Sequence, residues 1–192
     1  MKKSVFSLVL AVVVGATAFA TTPIKVEKKE VKTSESTVTW KGYKVTGSHY
    51  GTINLKEGAL MFDGDKLTGG EFVVDMTSLI STDLEGESKG KLEGHLKSDD
   101  FFGTSNNPTS KLVFTTVKAS GKNSYQVTGD LTIKGKTNSI MFDVSVYGNK
   151  ATATMKVDRS KYDVKYGSGS FFDNLGDKTI YDEFDLVVDL AF

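Results

Sequence analysis

The stretch SYQVTGDLTIKGKTNSIMFDVSVYG, residues 124–148, decides the fold that the sequence predicts. Its apolar side chains recur at every second position, which is the pattern of a β-strand with one buried face and one face in water. The inward sets are Tyr125, Val127, Leu131 and Ile133 in the first half, and Ile140, Phe142, Val144 and Val146 in the second. The link at residues 134–137 is short and contains glycine, as a hairpin turn does. We therefore predict two neighbouring antiparallel strands.

The same alternation continues along the rest of the chain from Ser36 onward. Six further strands are predicted over residues 38–45, 51–62, 67–76, 111–119, 150–157 and 181–192. Gly, Asn, Asp and Ser punctuate the eight strands. At Gly58 the inward phase switches, which predicts a β-bulge. One interval lacks this alternation. The spacing of the leucines in residues 84–97 predicts a short helical insertion there.

These elements favour an all-β fold, an eight-stranded antiparallel barrel with a helical insertion around residues 84–97. Sequential strands joined by hairpins form a meander, and closing the meander removes both exposed edges. A sandwich of two sheets is the alternative. The last strand keeps an apolar face up to Phe192, so we expect it to pair with an early strand.

The N-terminal segment, residues 1–20, is predicted to be an export signal. Two lysines precede an apolar run from Val5 to Val14, and Ala18-Phe19-Ala20 has the small-x-small pattern of a signal-peptidase site. The apolar run is shorter than the roughly 20 residues of a membrane span. We expect cleavage near Ala20 and a periplasmic or secreted protein that is not an integral membrane protein.

Composition divides the remaining chain and excludes several classes of function. Residues 21–35 carry mixed charges and few large apolar side chains, which predicts a flexible leader. Residues 36–192 are then a single barrel domain. The 24 basic and 24 acidic residues are interspersed without a basic block, so no nucleic-acid partner is expected. The chain has no cysteine, which excludes disulfides, thiolate metal sites and lipid attachment at a cysteine.

The inward face of the predicted barrel is apolar and aromatic. An eight-stranded barrel either fills itself with such side chains or keeps room for one elongated ligand. A hollow interior predicts a lipid, because an uncharged lining offers nothing to hold a sugar or a nucleotide. A filled interior predicts an exported, stress-related structural or interaction barrel without a ligand. The predicted pocket-lining residues are Trp40, Phe62, Phe72, Phe114, Leu131, Phe142 and Phe184.

The stretch GHLKSDDFF, residues 94–102, concentrates side chains that could carry chemistry. His95 and Asp99 have the spacing of a metal pair on a helix, but no third ligand lies nearby. Paired acids in loops that connect strands are usually solvated turn formers. We predict no metal site, no cofactor and no catalytic residue. Phe101 and Phe102 are predicted to cover one end of the barrel as a plug or as a gate beside the ligand.

A polar rim is predicted around this gate. Lys41, Lys44 and His95 are candidates for contact with a ligand head group. Arg159 is predicted to pair with a loop acid such as Asp158 or Asp163 and so to shape the rim.

Four motifs resemble, in order and spacing, the YceI-like family of exported, lipocalin-like proteins. They are HLKSDDFF, NNPTSKLVFTT, YQVTGDLTIKGKT and KVDRSKYDV, and the first predicted strands also look like the start of that family. The resemblance covers most of residues 36–192. It implies a lipocalin-like barrel whose long apolar pocket holds a polyisoprenoid or another amphiphile, in a periplasmic protein without established catalysis. A homodimer is also what the resemblance suggests.

Overall fold

A computed structural model describes residues 26–192. The predicted export signal and the first five residues of the predicted leader lie outside the described residues. Within the described range the chain forms nine strands, one α-helix and three short 3-10 turns. The strands before the helix are β1 (Val26–Glu30), β2 (Thr37–Lys44), β3 (Gly47–Asp63) and β4 (Lys66–Ser81). After helix α1 (Gly86–Lys97) come β5 (Thr109–Gly121), β6 (Ser124–Ile133), β7 (Lys136–Tyr147), β8 (Lys150–Asp158) and β9 (Ile180–Ala191).

Strands β2 to β9 close into an antiparallel barrel. Each pairs with its neighbour in sequence from β2 to β9, and β9 then pairs with β2. In that closing pair Val38 lies opposite Val188 and Trp40 opposite Leu186. Closure leaves no free edge among these eight strands. The eight-stranded barrel with one short helix is therefore confirmed, and the last strand does pair with an early one.

The β6–β7 hairpin has the predicted register. Tyr125 lies opposite Val144 and Val127 opposite Phe142, so both apolar sets share the inner face. The turn is tighter than the four-residue link suggests: Lys134 and Gly135 form it alone, with φ values of 49° and 72°. Two positive φ values characterise the turns that match the right-handed twist of a hairpin.

The β-bulge near Gly58 is also observed. Between Leu55 and Glu57 the register of β3 against β4 shifts by one residue. The buried positions accordingly change phase, from Ile53 before the bulge to Leu60 after it. A Cβ atom at Gly58 would lie 2.6 Å from Cδ1 of Phe72, so glycine is required where the bent strand approaches that ring.

The prediction of a flexible leader is wrong for residues 26–35. Residues 26–30 form β1, which pairs with β3 from Val26 opposite Asp63 to Glu30 opposite Ala59. Val31 is buried in the core, and its N–H donates to the carbonyl of Gly58 at 2.8 Å. Backbone pairing holds the charged β1 on the barrel, and charge composition does not reveal such pairing.

The two ends of the barrel differ. At one end, which we call the far end, Phe62, Leu67, Tyr125 and Phe192 are all buried and fill the interior. The Tyr125 hydroxyl accepts from the N–H of Leu67 at 3.3 Å there. The opposite end, which we call the helix end, carries α1, the loop after it and the long connection from β8 to β9. A ligand entrance is therefore expected at the helix end.

Candidate functional site

The barrel encloses a cavity of about 310 Å³. All eight barrel strands and α1 contribute to its wall, and its innermost residues include Leu60 and Leu190, one inward position before the plug at the far end. Several inward apolar side chains are only half-buried, because they face this space and not other side chains. They are Leu55, Val74, Leu112, Phe114, Ala153, Phe184 and Leu186. The interior is therefore hollow. The alternative of a barrel without a ligand depends on a filled interior, which the structure does not have.

Polar groups in the cavity wall are largely bonded to the protein itself. Trp40 donates its indole N–H to the carbonyl of Ile80 at 3.1 Å. The Ser110 hydroxyl donates to the carbonyl of Thr132 at 2.7 Å. A guest in the cavity body thus meets hydrocarbon, and only an apolar guest avoids the cost of losing hydrogen bonds to water.

Six of the seven predicted pocket residues line the cavity. They are Trp40, Phe72, Phe114, Leu131, Phe142 and Phe184. Phe114 joins two of the others, with its ring centroid 5.5 Å from that of Phe72 and 5.6 Å from that of Phe142. These separations are within the range of favourable aromatic pairs. The aromatic residues of β4, β5 and β7 thus form one continuous part of the wall.

Phe62 is the exception, because it does not line the cavity. Its ring packs against Phe192 at a centroid separation of 5.6 Å, and the Lys29 ammonium lies 5.0 Å from its centroid. Phe62 is 3% exposed. The alternation of β3 assigns this side chain correctly to the inside, but at the filled far end. Phe62 is part of the plug and not of the pocket.

Replacing Phe62 with leucine is expected to lower the free energy of unfolding by about 1.5 kcal/mol, because it leaves a gap in the plug. Urea titration followed by circular dichroism measures this change. Phe171→Leu is the matched control, since Phe171 is 42% exposed and its replacement is expected to cost less than about 0.5 kcal/mol. Equal losses in the two variants would contradict the assignment of Phe62 to a packed plug.

The predicted gate residues His95, Phe101 and Phe102 line the cavity at the helix end. Their rings form a chain in which His95 contacts Phe101 at 5.6 Å, Phe101 contacts Phe102 at 5.0 Å and Phe102 reaches Phe184 at 6.4 Å between centroids. The Lys134 ammonium fixes the loop by donating to the carbonyls of Asp99 and Phe101 at 2.8 and 2.9 Å. Aromatic rings thus cover this end of the cavity.

Arg159 packs against the gate residue Phe101. It is 2% exposed, and its guanidinium lies 5.2 Å from the ring centroid of Phe101. Its three nitrogens donate to the carbonyls of Val164, Ile180 and Tyr181 at 2.9, 3.0 and 3.2 Å. One arginine therefore joins both ends of the β8–β9 connection to the gate.

The predicted pairing of Arg159 with a loop acid such as Asp158 or Asp163 is wrong. Nη2 of Arg159 lies 3.3 Å from Oδ1 of Asp182, in an ion pair without hydrogen-bond geometry. Asp158 instead accepts from the N–H of Ser160, and Asp163 pairs with Lys165. Burial lowers the pKa of the Arg159 guanidinium, whereas the charges of Asp182 and Asp158 raise it. The acids near Arg159 in sequence thus form contacts within their own turns, and the acidic partner of Arg159 is Asp182 of β9.

The two rim lysines are placed differently. Lys44 lines the cavity, whereas Lys41 is exposed on the outer face, with its ammonium 5.2 Å from the ring centroid of Tyr43. Alternation explains this, because even-numbered residues of β2 point inward. Lys41 is therefore not part of the cavity.

His49 is a cavity-lining residue that the sequence analysis missed as a head-group candidate. Its Nδ1 lies 2.8 Å from Oδ2 of Asp83. The other carboxylate oxygen of Asp83 accepts from the Ser81 hydroxyl at 2.8 Å and from the N–H of Tyr50 at 3.2 Å. Burial raises the pKa of the Asp83 carboxyl, but these bonds from His49, Ser81 and Tyr50 outweigh it and hold the pKa below its usual value. The inward phase of β3 was the signal that could have identified His49.

Two further searches cover residues 26–192. In this range no group of three or more His, Cys, Asp or Glu residues is arranged to hold a metal ion. No helix in the same range has both the length and the apolar character that a membrane crossing requires.

Comparison with known proteins assigns the family. The YceI-like domain matches residues 30–192, which is most of the chain. This chain belongs to the YceI-like domain family. A UPF0312 protein of Staphylococcus epidermidis is 38% identical over 102 residues, and one of Shewanella denitrificans is 31% identical over 98 residues. These matches cover 49% and 51% of this chain, and the chain spans about half the length of the curated relatives it matches.

Two solved structures share the barrel fold of this chain. BcnA of Burkholderia cenocepacia superposes with a TM-score of 0.63 at 22% identity, covering 84% of this chain and 99% of that chain. A polyisoprenoid binding domain from Saccharophagus degradans superposes with a TM-score of 0.56 at 13% identity, covering 87% and 99% of the two chains. At these identities the likeness shows the fold, and the lipocalin-like barrel is confirmed.

Proposed function

We propose that this YceI-like protein binds one long apolar lipid, a polyisoprenoid or a similar amphiphile, in its barrel cavity and sequesters or transports it. One observation carries the proposal: the cavity is hollow, plugged at the far end by Phe62 and Phe192, and lined by hydrocarbon. A hydrocarbon chain that enters at the helix end loses its contact with water along its whole length. Binding, and not catalysis, is what such a wall provides.

The hydrophobic effect supplies the largest favourable contribution to the proposed binding. Burying about 300 Å² of hydrocarbon at about 25 cal/mol per Å² contributes roughly 7 kcal/mol before the costs of association and ordering. Micromolar binding corresponds to about 8 kcal/mol. Since this contribution does not reach the micromolar requirement once those costs are subtracted, a longer buried hydrocarbon or head-group contacts at the helix end must supply the remainder.

Relatives support a lipid as the ligand. The Saccharophagus degradans neighbour is described as a polyisoprenoid binding domain, and it shares the barrel that encloses the cavity here. Its identity of 13% means that the ligand class, and not a particular lipid, is what we carry over to this chain.

We also propose that the protein acts after export, in the periplasm or outside the cell. The support is the signal-like pattern of residues 1–20. N-terminal sequencing of the protein from an extracellular or periplasmic fraction is expected to begin next to Ala20. The homodimer suggested by the resemblance stays a prediction that sedimentation analysis can measure.

Trp40 makes the proposed binding directly measurable. It is the single tryptophan of the chain and it lines the cavity. We expect geranylgeraniol to change its fluorescence saturably, with one lipid per chain and a dissociation constant in the micromolar range. Mass spectrometry of an organic extract of the purified protein is expected to show a co-purified lipid. Absence of both signals would contradict the proposed function.

A further inference from the structure

The mouth of the cavity contains a small polar site whose chemistry defines the head group of the lipid. We infer that Lys44 and His49 hold a compact acidic head group with one negative charge, such as a carboxylate. This inference rests on the proposed lipid-binding function and makes it more specific. Both residues line the cavity and both are half-buried.

The register of the β2–β3 hairpin brings the two side chains together. Gly42 lies opposite His49 and Lys44 lies opposite Gly47, so Lys44 and His49 are diagonal neighbours on the inner face. Diagonal neighbours lie about 7 Å apart, which long side chains span easily. Gly42 has open space where a side chain would begin and also lines the cavity. This glycine leaves a notch between the two cationic or hydrogen-bonding groups.

Asp83 orients His49 toward this notch. Because Nδ1 of His49 is engaged by the carboxylate at 2.8 Å, it carries the proton and Nε2 is the ring nitrogen available to a ligand. A carboxylate placed behind a histidine in this way fixes the orientation of the imidazole ring. When Nε2 is protonated it donates to an anion, and Asp83 compensates the imidazolium charge.

The local charges favour a single negative charge on the ligand. Within residues 26–192 Lys44 forms no ion pair. The Asp83 carboxylate is engaged by His49, so the Lys44 ammonium is the positive charge that remains for a ligand. The guanidinium of Arg159 is already used by three carbonyls and Asp182. A carboxylate matches this single charge, whereas a diphosphate brings two or three negative charges to it.

Two ligands with the same hydrocarbon test the inference. We expect hexadecanoate to bind about tenfold more tightly than 1-hexadecanol, measured by Trp40 fluorescence, because charge-assisted hydrogen bonds are the stronger ones. Geranylgeranyl diphosphate is expected to bind no more tightly than geranylgeraniol. The Lys44→Met variant is expected to lose the tenfold preference by weakening hexadecanoate alone.

Further variants separate head-group recognition from folding. The double variant His49→Phe with Asp83→Asn removes the pair without leaving a buried carboxylate unpaired, and we expect hexadecanoate affinity to fall about fivefold while hexadecanol affinity is retained. Lys41→Met is the matched control on the outer face of β2 and is expected to change neither affinity. Retained hexadecanol binding also reports that each variant is folded.

The outcomes distinguish the two proposals. Equal affinities of wild-type protein for the acid and the alcohol, or a Lys44→Met variant that keeps the preference, would overturn the head-group inference alone. Tighter binding of the diphosphate than of geranylgeraniol would do the same. If the acid, the alcohol and geranylgeraniol all fail to bind and no lipid co-purifies, the lipid-binding function fails and the inference fails with it.

Discussion

Replacing Ala153 with phenylalanine is expected to weaken binding of geranylgeraniol about 100-fold. Ala153 lies on the inner face of β8, opposite Val144 and Val188, and faces the cavity half-buried. A phenylalanine ring there occupies the space of the lipid chain. Displacing about 100 Å² of apolar contact removes about 2.5 kcal/mol, and each 1.4 kcal/mol is a factor of ten. Titration followed by Trp40 fluorescence measures the loss.

The stability of the same variant decides whether the interior is hollow. In a hollow barrel the new ring enters empty space, so the free energy of unfolding is expected to fall by less than about 1 kcal/mol. In a filled core it would overpack and cost about 1 to 3 kcal/mol. Thr154→Phe is the control, because Thr154 is exposed on the outer face of the same strand and its replacement is expected to preserve affinity. A destabilised Ala153→Phe variant with unchanged lipid affinity would contradict the cavity.

Arg159→Met is expected to lower the free energy of unfolding by about 3 to 5 kcal/mol. Methionine fills part of the volume but leaves three carbonyls without their buried donor and the Asp182 carboxylate without its cationic partner. Removing one partner of a buried charged pair has costs of this size. The midpoint of thermal unfolding is expected to fall by about 10 °C in a domain of this length. Differential scanning calorimetry measures both quantities.

Lys161→Met is the matched control for Arg159. Lys161 lies in the same 3-10 turn but is exposed, so its replacement is expected to change stability by less than about 0.5 kcal/mol. If Arg159→Met is no more destabilised than this control, Arg159 does not hold the β8–β9 connection. The gate over the cavity would then depend on the Lys134 contacts with the loop after α1.

Predictions from sequence succeeded where the information is local. Alternation assigned Phe142, Leu131 and Trp40 to the inner face, and the phase switch at Gly58 located the bulge. Each of these depends on neighbours within a few positions of one strand, because successive side chains of a strand point to opposite faces. The same alternation contained the inward position of His49, although its partner Asp83 lies 34 residues away.

Predictions failed where the decisive partner is distant in sequence. Strand β1 was assigned to a flexible leader because its residues are charged, yet its backbone pairs with β3. Arg159 was assigned a neighbouring acid, yet it contacts Asp182 and carbonyls across the β8–β9 connection. Hydrogen bonding and ion pairing over such separations depend on how the chain is brought back on itself, which no local pattern specifies.

The amino-acid sequence by itself determined the strands, their inward faces and the closed barrel, because hydrophobic periodicity indicates which face of each strand is buried away from water. Only the tertiary structure decided that the barrel is hollow, that Phe62 plugs its far end and that Lys44 meets His49 at its mouth. Periodicity assigns a side chain to a face but not to a depth along the barrel axis. The size of the interior depends on the number, tilt and register of all strands together.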